Sequence, residues 1–200
     1  GNNSFEMKAA VLVITSGGDT IHSDGDIIIE SGTLTLNSGD DGMHADGTLT
    51  INDGTIDILT CYEGIEGTDV VLNGGNIDIV ASDDGINGAG GSDAASSTSG
   101  NGFPQDNFAG SQGTITINGG TITIAAAVSG AGDGLDANGT IMITGGDIVI
   151  KTPSSYRDYS ALDYNTTFSL TGGTVRTLEA DGTYTEVTES NVSNNNRGKR

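Results

Sequence analysis

The chain has 200 residues, 27 acidic and 7 basic, for a formal net charge of −20. That balance excludes nucleic acid and anionic membrane surfaces as partners, because phosphate contact needs a basic footprint. A single cysteine, Cys61, excludes an intrachain disulfide framework, and the longest apolar run, Ala9 to Ile14, is too short to span a bilayer.

Met7 to Thr15 reads as a starting strand. One phrase then recurs six times, beginning as Asp19-Thr-Ile-His-Ser-Asp, Asp41-Gly-Met-His-Ala-Asp and Glu63-Gly-Ile-Glu-Gly-Thr. It returns as Asp84-Gly-Ile-Asn-Gly, Asp133-Gly-Leu-Asp-Ala-Asn and Ser160-Ala-Leu-Asp-Tyr-Asn. Its fourth residue falls at His22, His44, Glu66, Asn87, Asp136 and Asp163, with first steps of 22, 22 and 21 residues. A period near 22 with strand-like spelling predicts a solenoid, because one repeat cannot bury its own apolar face and must stack on the next. Glycine marks its corners, supplying the positive φ that tight turns require.

Each repeat parses into three short strands. In the second, Gly42-Met-His-Ala-Asp leads to Gly47-Thr-Leu-Thr-Ile-Asn and then Gly54-Thr-Ile-Asp-Ile-Leu. Alternation points Met43, Ala45, Leu49, Ile51, Ile56 and Ile58 inward, with His44, Asp46, Thr48, Thr50 and Asp57 outward. Antiparallel hairpins would pair neighbouring strands, whereas this pattern repeats at every third strand. The prediction is an all-β parallel β-helix with about 22 residues and three short strands per coil.

Two segments break the period. From Asn87 to Asp136 the step is 49 residues, which places a surface insertion at about 88–112, either a plain loop or a lid. Pro153 to Ser160 adds a few more residues. Residues 1–189 are thus expected to form a single domain, followed by a polar basic tail at 190–200 that holds Arg197, Lys199 and Arg200. The tail suits contact with the acidic face of a neighbouring subunit. The start at Gly1 without Met suits a processed, secreted or cell-surface product, or a fragment.

Stacking places equivalent residues about 4.8 Å apart, so a repeated acid becomes a ladder of acids. Asp19, Asp41, Glu63, Asp84 and Asp133 form a corner column, with Asp40 and Asp83 just before two of them. Beside it runs the fourth-residue column, and two residues on lie Asp24, Asp46, Thr68, Asn138 and Asn165. Ladders of oxygen donors suit calcium, which takes six to eight oxygens at about 2.3–2.6 Å. A transition metal on His22 and His44 is the lesser alternative, since no third nitrogen or sulfur sits in register. Gly130-Ala-Gly-Asp-Gly-Leu-Asp is similar to the nonapeptide calcium repeat of toxins, but the 22-residue period excludes that motif.

Asp-Asp-Gly-Met-His-Ala-Asp-Gly, Cys-Tyr-Glu-Gly-Ile-Glu-Gly and Ser-Asp-Asp-Gly-Ile-Asn-Gly resemble a clostridial family of extracellular carbohydrate-binding β-helix proteins. That family binds cellulose and polygalacturonate and is similar in shape to polysaccharide lyase family 9. The resemblance covers roughly Ser16 to Thr177 and implies a right-handed parallel β-helix, bound calcium and affinity for acidic sugars. It also implies calcium ligands drawn from Asp40, Asp41, Glu63, Glu66, Asp83, Asp84, Asp133 and Asp136.

Three functions are weighed. A calcium-dependent lyase needs a base, and only Lys8, Lys151, Arg157 and Arg176 lie on the body, so catalysis is not expected. A binder of acidic, pectate-like polysaccharide needs only cations on a regular face. Tyr156, Tyr159 and Tyr164 offer rings for a sugar to stack on, or else pack their loop. A structural subunit would stack end to end into an extracellular filament through its open strand edges.

Overall fold

The computed structural model describes residues 3–88, 112–128, 132–151 and 159–192. The insertion, save for its outermost residues, Tyr156, Arg157 and the tail beyond 192 lie outside the described residues. Among those described there are nineteen strands and no helix, gathered into one sheet of eleven strands and one of eight. All strand pairs are parallel except one, Thr174–Leu178 with Tyr184–Glu186.

The register follows the repeat. Ile21, Met43, Ile65, Ile86, Leu135 and Leu162 lie one above another in the first row of strands. Ile27, Leu49, Val70, Ile115, Ile141 and Phe168 form the second row. Leu34, Ile56, Ile77, Ile122, Ile148 and Val175 form the third, in the eight-stranded sheet. Every one of these side chains is buried. A fully buried Ile or Leu contributes about 1.5–3 kcal/mol, so these three rows, and not the surface charges, hold the repeats together.

Two details depart from the sequence prediction. The first and second strands of a repeat are fused in Met43–Ile51 and in Ile65–Leu72. Ala45 faces Gly67 and Thr48 faces Asp69, so Asp46 and Gly47 together oppose Thr68. This β-bulge absorbs the extra residue without interrupting the pairing. The predicted starting strand divides into Phe5–Met7 and Val11–Thr15, which pair in different sheets, with Ile27–Ile29 and Thr33–Asn37. Lys8 to Ala10 turn the corner between them, and the Ala10 carbonyl accepts the Thr33 amide at 2.8 Å.

The two ends of the stack differ. Leu12 and Ile14 face Leu34 and Leu36, yet they are only partly buried, because Val11–Thr15 is the edge strand of its sheet. At the other end Tyr184–Glu186 turns back along the last strand, and Val187 and Val192 pack against the core.

In the four middle copies of the phrase the second position admits nothing larger than glycine, whereas the end copies carry Thr20 and Ala161. A Cβ on Gly64 would lie 2.3 Å from the Gly85 oxygen and 2.5 Å from Ile79 Cγ2, and Gly42, Gly85 and Gly134 are similarly confined. Gly64→Ala is therefore expected to cost about 1–3 kcal/mol, read as a lower melting temperature. Gly17→Ala, where a Cβ would meet nothing within 4 Å, should stay within about 0.5 kcal/mol of the parent.

Candidate functional site

The repeated phrase occupies the corner where a strand of the eight-stranded sheet ends and the next strand of the larger sheet begins. Backbone bonds fix it there: the Gly42, Gly64, Gly85 and Gly134 amides donate to the Glu63, Asp84, Asp133 and Ser160 carbonyls at 2.9–3.0 Å. The corner acids are thereby stacked one repeat above another. The fourth-residue column is also in register, with His22 facing His44, then Glu66, Asn87, Asp136 and Asp163.

The side chains of the two columns turn toward each other. Asp19 Oδ2 lies 3.0 Å from His22 Nδ1, and Asp41 Oδ2 lies 3.2 Å from His44 Nδ1. His44 Nδ1 also lies 2.9 Å from Glu66 Oε2 in the next repeat. Asn87 Nδ2 donates to Glu63 Oε2 at 2.9 Å. This convergence corrects the expectation that the fourth position is a solvated outward face: His44 is 0% exposed, and Asp41, Glu63, Asp84 and Asn87 are buried as well. Alternation along one strand gives the direction of a side chain, but not whether a neighbouring column covers it.

Among the described residues, four groups of possible ligand atoms lie within 4.8 Å of one another: Asp19–His22–His44, Asp41–His44–Glu66, Asp19–Asp40–Asp41 and Asp84–Asp133–Asp136. Asp40, Asp41, Glu66, Asp84, Asp133 and Asp136, all expected as cation ligands, are thus brought together in threes. Glu63 and Asp83 belong to none of these groups, although the charges of both act on Asp84 or its neighbours. Asp19, His22 and His44 join the site beyond the expected set, and their signal was the phrase itself.

Burial without cationic partners raises the acids. Burial holds Glu63 well above the usual carboxylate range, reinforced by the charges of Glu66, Asp84 and Asp41. Asp84 is raised likewise, by burial and then by Asp136, Asp83 and Asp133. Burial pushes Asp133 up to about 7 against the opposing Ser160 amide. Glu66 is pushed up to about 7 by burial despite the lowering effect of His44. Cys61, buried beneath the same corner, is pushed up to about 12, so its thiol stays protonated and offers no thiolate ligand.

The tyrosines separate. Tyr164 is a correction: it follows Ala137 in an inward register, is buried, and packs its ring 6.0 Å from that of Phe168. The last repeat carries this ring where earlier ones carry Ser23, Ala45, Gly67, Gly88 and Ala137, and the buried ring offers no face to a sugar. Tyr159 is partly buried against the core, with its hydroxyl 3.4 Å from the Lys151 carbonyl. Tyr156 lies outside the described residues. Tyr62, next to Glu63 in sequence, is 42% exposed. The sequence offered it in Cys-Tyr-Glu-Gly, but nothing there distinguished it from the other tyrosines.

The raised acids set a pH dependence. Their protonated forms are favoured in the folded state, so their contribution is most favourable below the ordinary carboxylate range. It is lost progressively as pH rises from about 4 to about 7. In chelator the melting temperature should therefore fall by more than about 5 °C between pH 5 and pH 8. A divalent cation should abolish that fall, as read by calorimetry at both pH values.

No curated protein and no solved structure matches the chain. No helix among the described residues is long and apolar enough to cross a membrane. A family model described as carbohydrate-binding domain-containing protein matches residues 1–100 and again 63–197. The two overlapping matches cover nearly the whole chain, as a repeat would allow, and the protein belongs to this carbohydrate-binding domain-containing family.

Proposed function

We propose that the protein is an extracellular, calcium-loaded, right-handed parallel β-helix that binds acidic, pectate-like polysaccharide without cleaving it. The observation that carries this reading is the Asp84–Asp133–Asp136 group, an oxygen-only set drawn from two successive repeats at a corner. Membership of a carbohydrate-binding family supports the sugar, and the donor chemistry supports the cation. The residues present fit calcium. Asp84 is buried among like charges with no lysine or arginine acting on it, and such a cluster is costly unless a cation neutralises it. Asn87, in register with Asp136, has a buried Oδ1 that accepts no hydrogen bond among the described residues. Its Nδ2 is engaged with Glu63, which turns this oxygen away from Glu63 and leaves it as a further neutral donor.

When bound, calcium supplies positive charge and coordination positions for a uronate carboxylate. The chain's own residues do the rest. Asp84 accepts the Asp133 amide and Asp133 accepts the Ser160 amide, which holds the carboxylates in place before any ligand arrives. Tyr62, next to Glu63 in sequence, offers an exposed ring on which a sugar can stack. Extracellular calcium modules work at Kd values of about 10⁻⁴–10⁻³ M, which suits a surface protein of this charge.

Catalysis is not part of the proposal. Arg176 is engaged by Asp147 at 2.6 Å and covers Tyr184, Lys8 lies 3.5 Å from Glu6, and Lys151 is the exposed last residue of the strand Asp147–Lys151. None of these bases belongs to the acid corner. Asp84→Asn with Asp133→Asn should lower calcium uptake and weaken polygalacturonate binding at least about tenfold in a pull-down. Tyr62→Ala should weaken sugar binding, by a share of the about 0.5–1.5 kcal/mol of an aromatic contact, and leave calcium uptake unchanged. Equal sugar binding in calcium and in chelator would overturn the reading, and release of unsaturated uronate would overturn the lack of catalysis.

A second reading, end-to-end assembly into a filament, is favoured by the edge at Val11–Thr15, where Val11 and Val13 are 77% and 76% exposed and Leu12 and Ile14 are only partly covered. Electron microscopy with calcium and with chelator tests it: filaments support assembly, and dispersed particles in both conditions rule it out.

A further inference from the structure

We propose that Asp41, His44 and Glu66 form a mixed nitrogen–oxygen site for a divalent transition ion of the zinc class, distinct from the oxygen-only group at Asp84, Asp133 and Asp136. Two repeats build it. Asp41 and His44 come from one repeat and Glu66 from the next, with His44 and Glu66 directly paired in register.

The geometry suits such an ion. His44 Nδ1 lies 3.2 Å from Asp41 Oδ2 and 2.9 Å from Glu66 Oε2. Zinc bonds of about 2.0–2.2 Å in a tetrahedron set ligand atoms roughly 3.3–3.6 Å apart, so these atoms need to part by only a few tenths of an ångström to admit such an ion. Two of the three ligands have a second neighbour behind them. Asp41 uses its other oxygen, Oδ1, to accept the Glu63 amide at 3.2 Å, which points Oδ2 at the imidazole. On the far side of the ring, His44 Nε2 lies 3.5 Å from Asp46 Oδ1. A carboxylate behind the distal nitrogen is the usual outer partner of a metal-bound histidine, and Asp46 stands where such a partner would sit, although the two atoms are not hydrogen-bonded as they stand.

Charge and burial point the same way. The His44 side chain is 0% exposed, that of Asp41 7% and that of Glu66 12%. Two carboxylates, one neutral imidazole and one divalent cation sum to zero, which a buried site tolerates far better than two uncompensated acids. The imidazole decides the class of metal. Nitrogen suits zinc, copper and nickel, whereas calcium and magnesium take oxygen. Three protein ligands leave a fourth position for water or a sugar oxygen. The neighbouring His22, its ring 5.0 Å from that of His44, is a built-in control, because the alternative set Asp19–His22–His44 would need it. The ladder thus changes donor chemistry along its length, from nitrogen-bearing near His22 and His44 to oxygen-only near Asp133. The inference is independent of the calcium reading, and either can fail alone.

The test is zinc titration of the full chain in excess calcium, with bound metal counted by native mass spectrometry and folding checked by circular dichroism. One equivalent of zinc should survive the calcium. His44→Gln should weaken that equivalent more than about 100-fold, and Asp46→Asn about 10–100-fold, the range of an outer partner. His22→Gln and Asp84→Asn should leave it unchanged. X-ray absorption on the unaltered protein with one zinc equivalent should show imidazole nitrogen at about 2.0 Å, which keeps the test decisive if the His44 variant fails to fold. Displacement of zinc by calcium, zinc retained in a folded His44→Gln variant, loss of zinc in His22→Gln, or oxygen-only absorption would each overturn the proposal.

Discussion

At the corner, Asp19, Asp41, Asp84 and Asp133 each turn one carboxylate oxygen to the backbone amide of the equivalent residue one repeat later. This bond makes the acid both a structural member and a charged one. It satisfies an amide that the turn would otherwise leave exposed, and it holds the second oxygen at a set place beside the fourth-residue column. The placement of the candidate cation groups follows from that contact, which by itself lowers the proton affinity of Asp84 and Asp133, and it is their burial that outweighs it. The exception is instructive. Glu63, one methylene longer, reaches past the amide position and bonds Asn87 instead, and it is absent from the compact ligand groups.

The core and the corner act in opposite directions. The three inward rows are Ile, Leu, Val and Met packed at strand spacing, and they force the repeats together whatever lies outside. The same spacing brings acids of like charge within reach of one another, where each disfavours the ionised state of its neighbours. A chain of net charge −20 therefore folds by apolar burial and is left with a line of unneutralised carboxylates. A cation taken up there relieves a strain in charge that the fold itself creates, so metal affinity and fold stability are linked.

Much of this was legible in the residues. The inward places of Met43, Leu49, Ile56 and their equivalents follow from period-two alternation, and the 22-residue step predicts parallel pairing of like with like. The acid column was readable because the phrase repeats in register. What could not be read is mutual shielding: His44 looked outward along its own strand, and only the neighbouring Asp41 and Glu66 make it buried. Tyr164 was misplaced for a different reason. Its position follows Ala45, Gly67, Gly88 and Ala137 inward, but an aromatic ring in an acidic, polar stretch suggested a surface role. The bulge at Asp46 and Gly47 was equally hidden, since one extra residue in a Gly-rich corner looks the same as a longer turn.

The pairing across the insertion shows how such a molecule can change in length. Ile86 still faces Ile65 and Ile115 still faces Val70, although the two strands that follow one another here, Ile86–Gly88 and Thr114–Ile117, are separated by a long segment. Extra residues placed at a corner leave the phase of every strand intact, whereas a single residue added within a strand would turn its isoleucines to solvent and its acids to the core. A change of length that keeps this register is accordingly quantised: it adds a corner loop or a whole repeat, and each added repeat would extend the rows and the acid column by one rung. The number of acid rungs is then set by how many times one short phrase is copied.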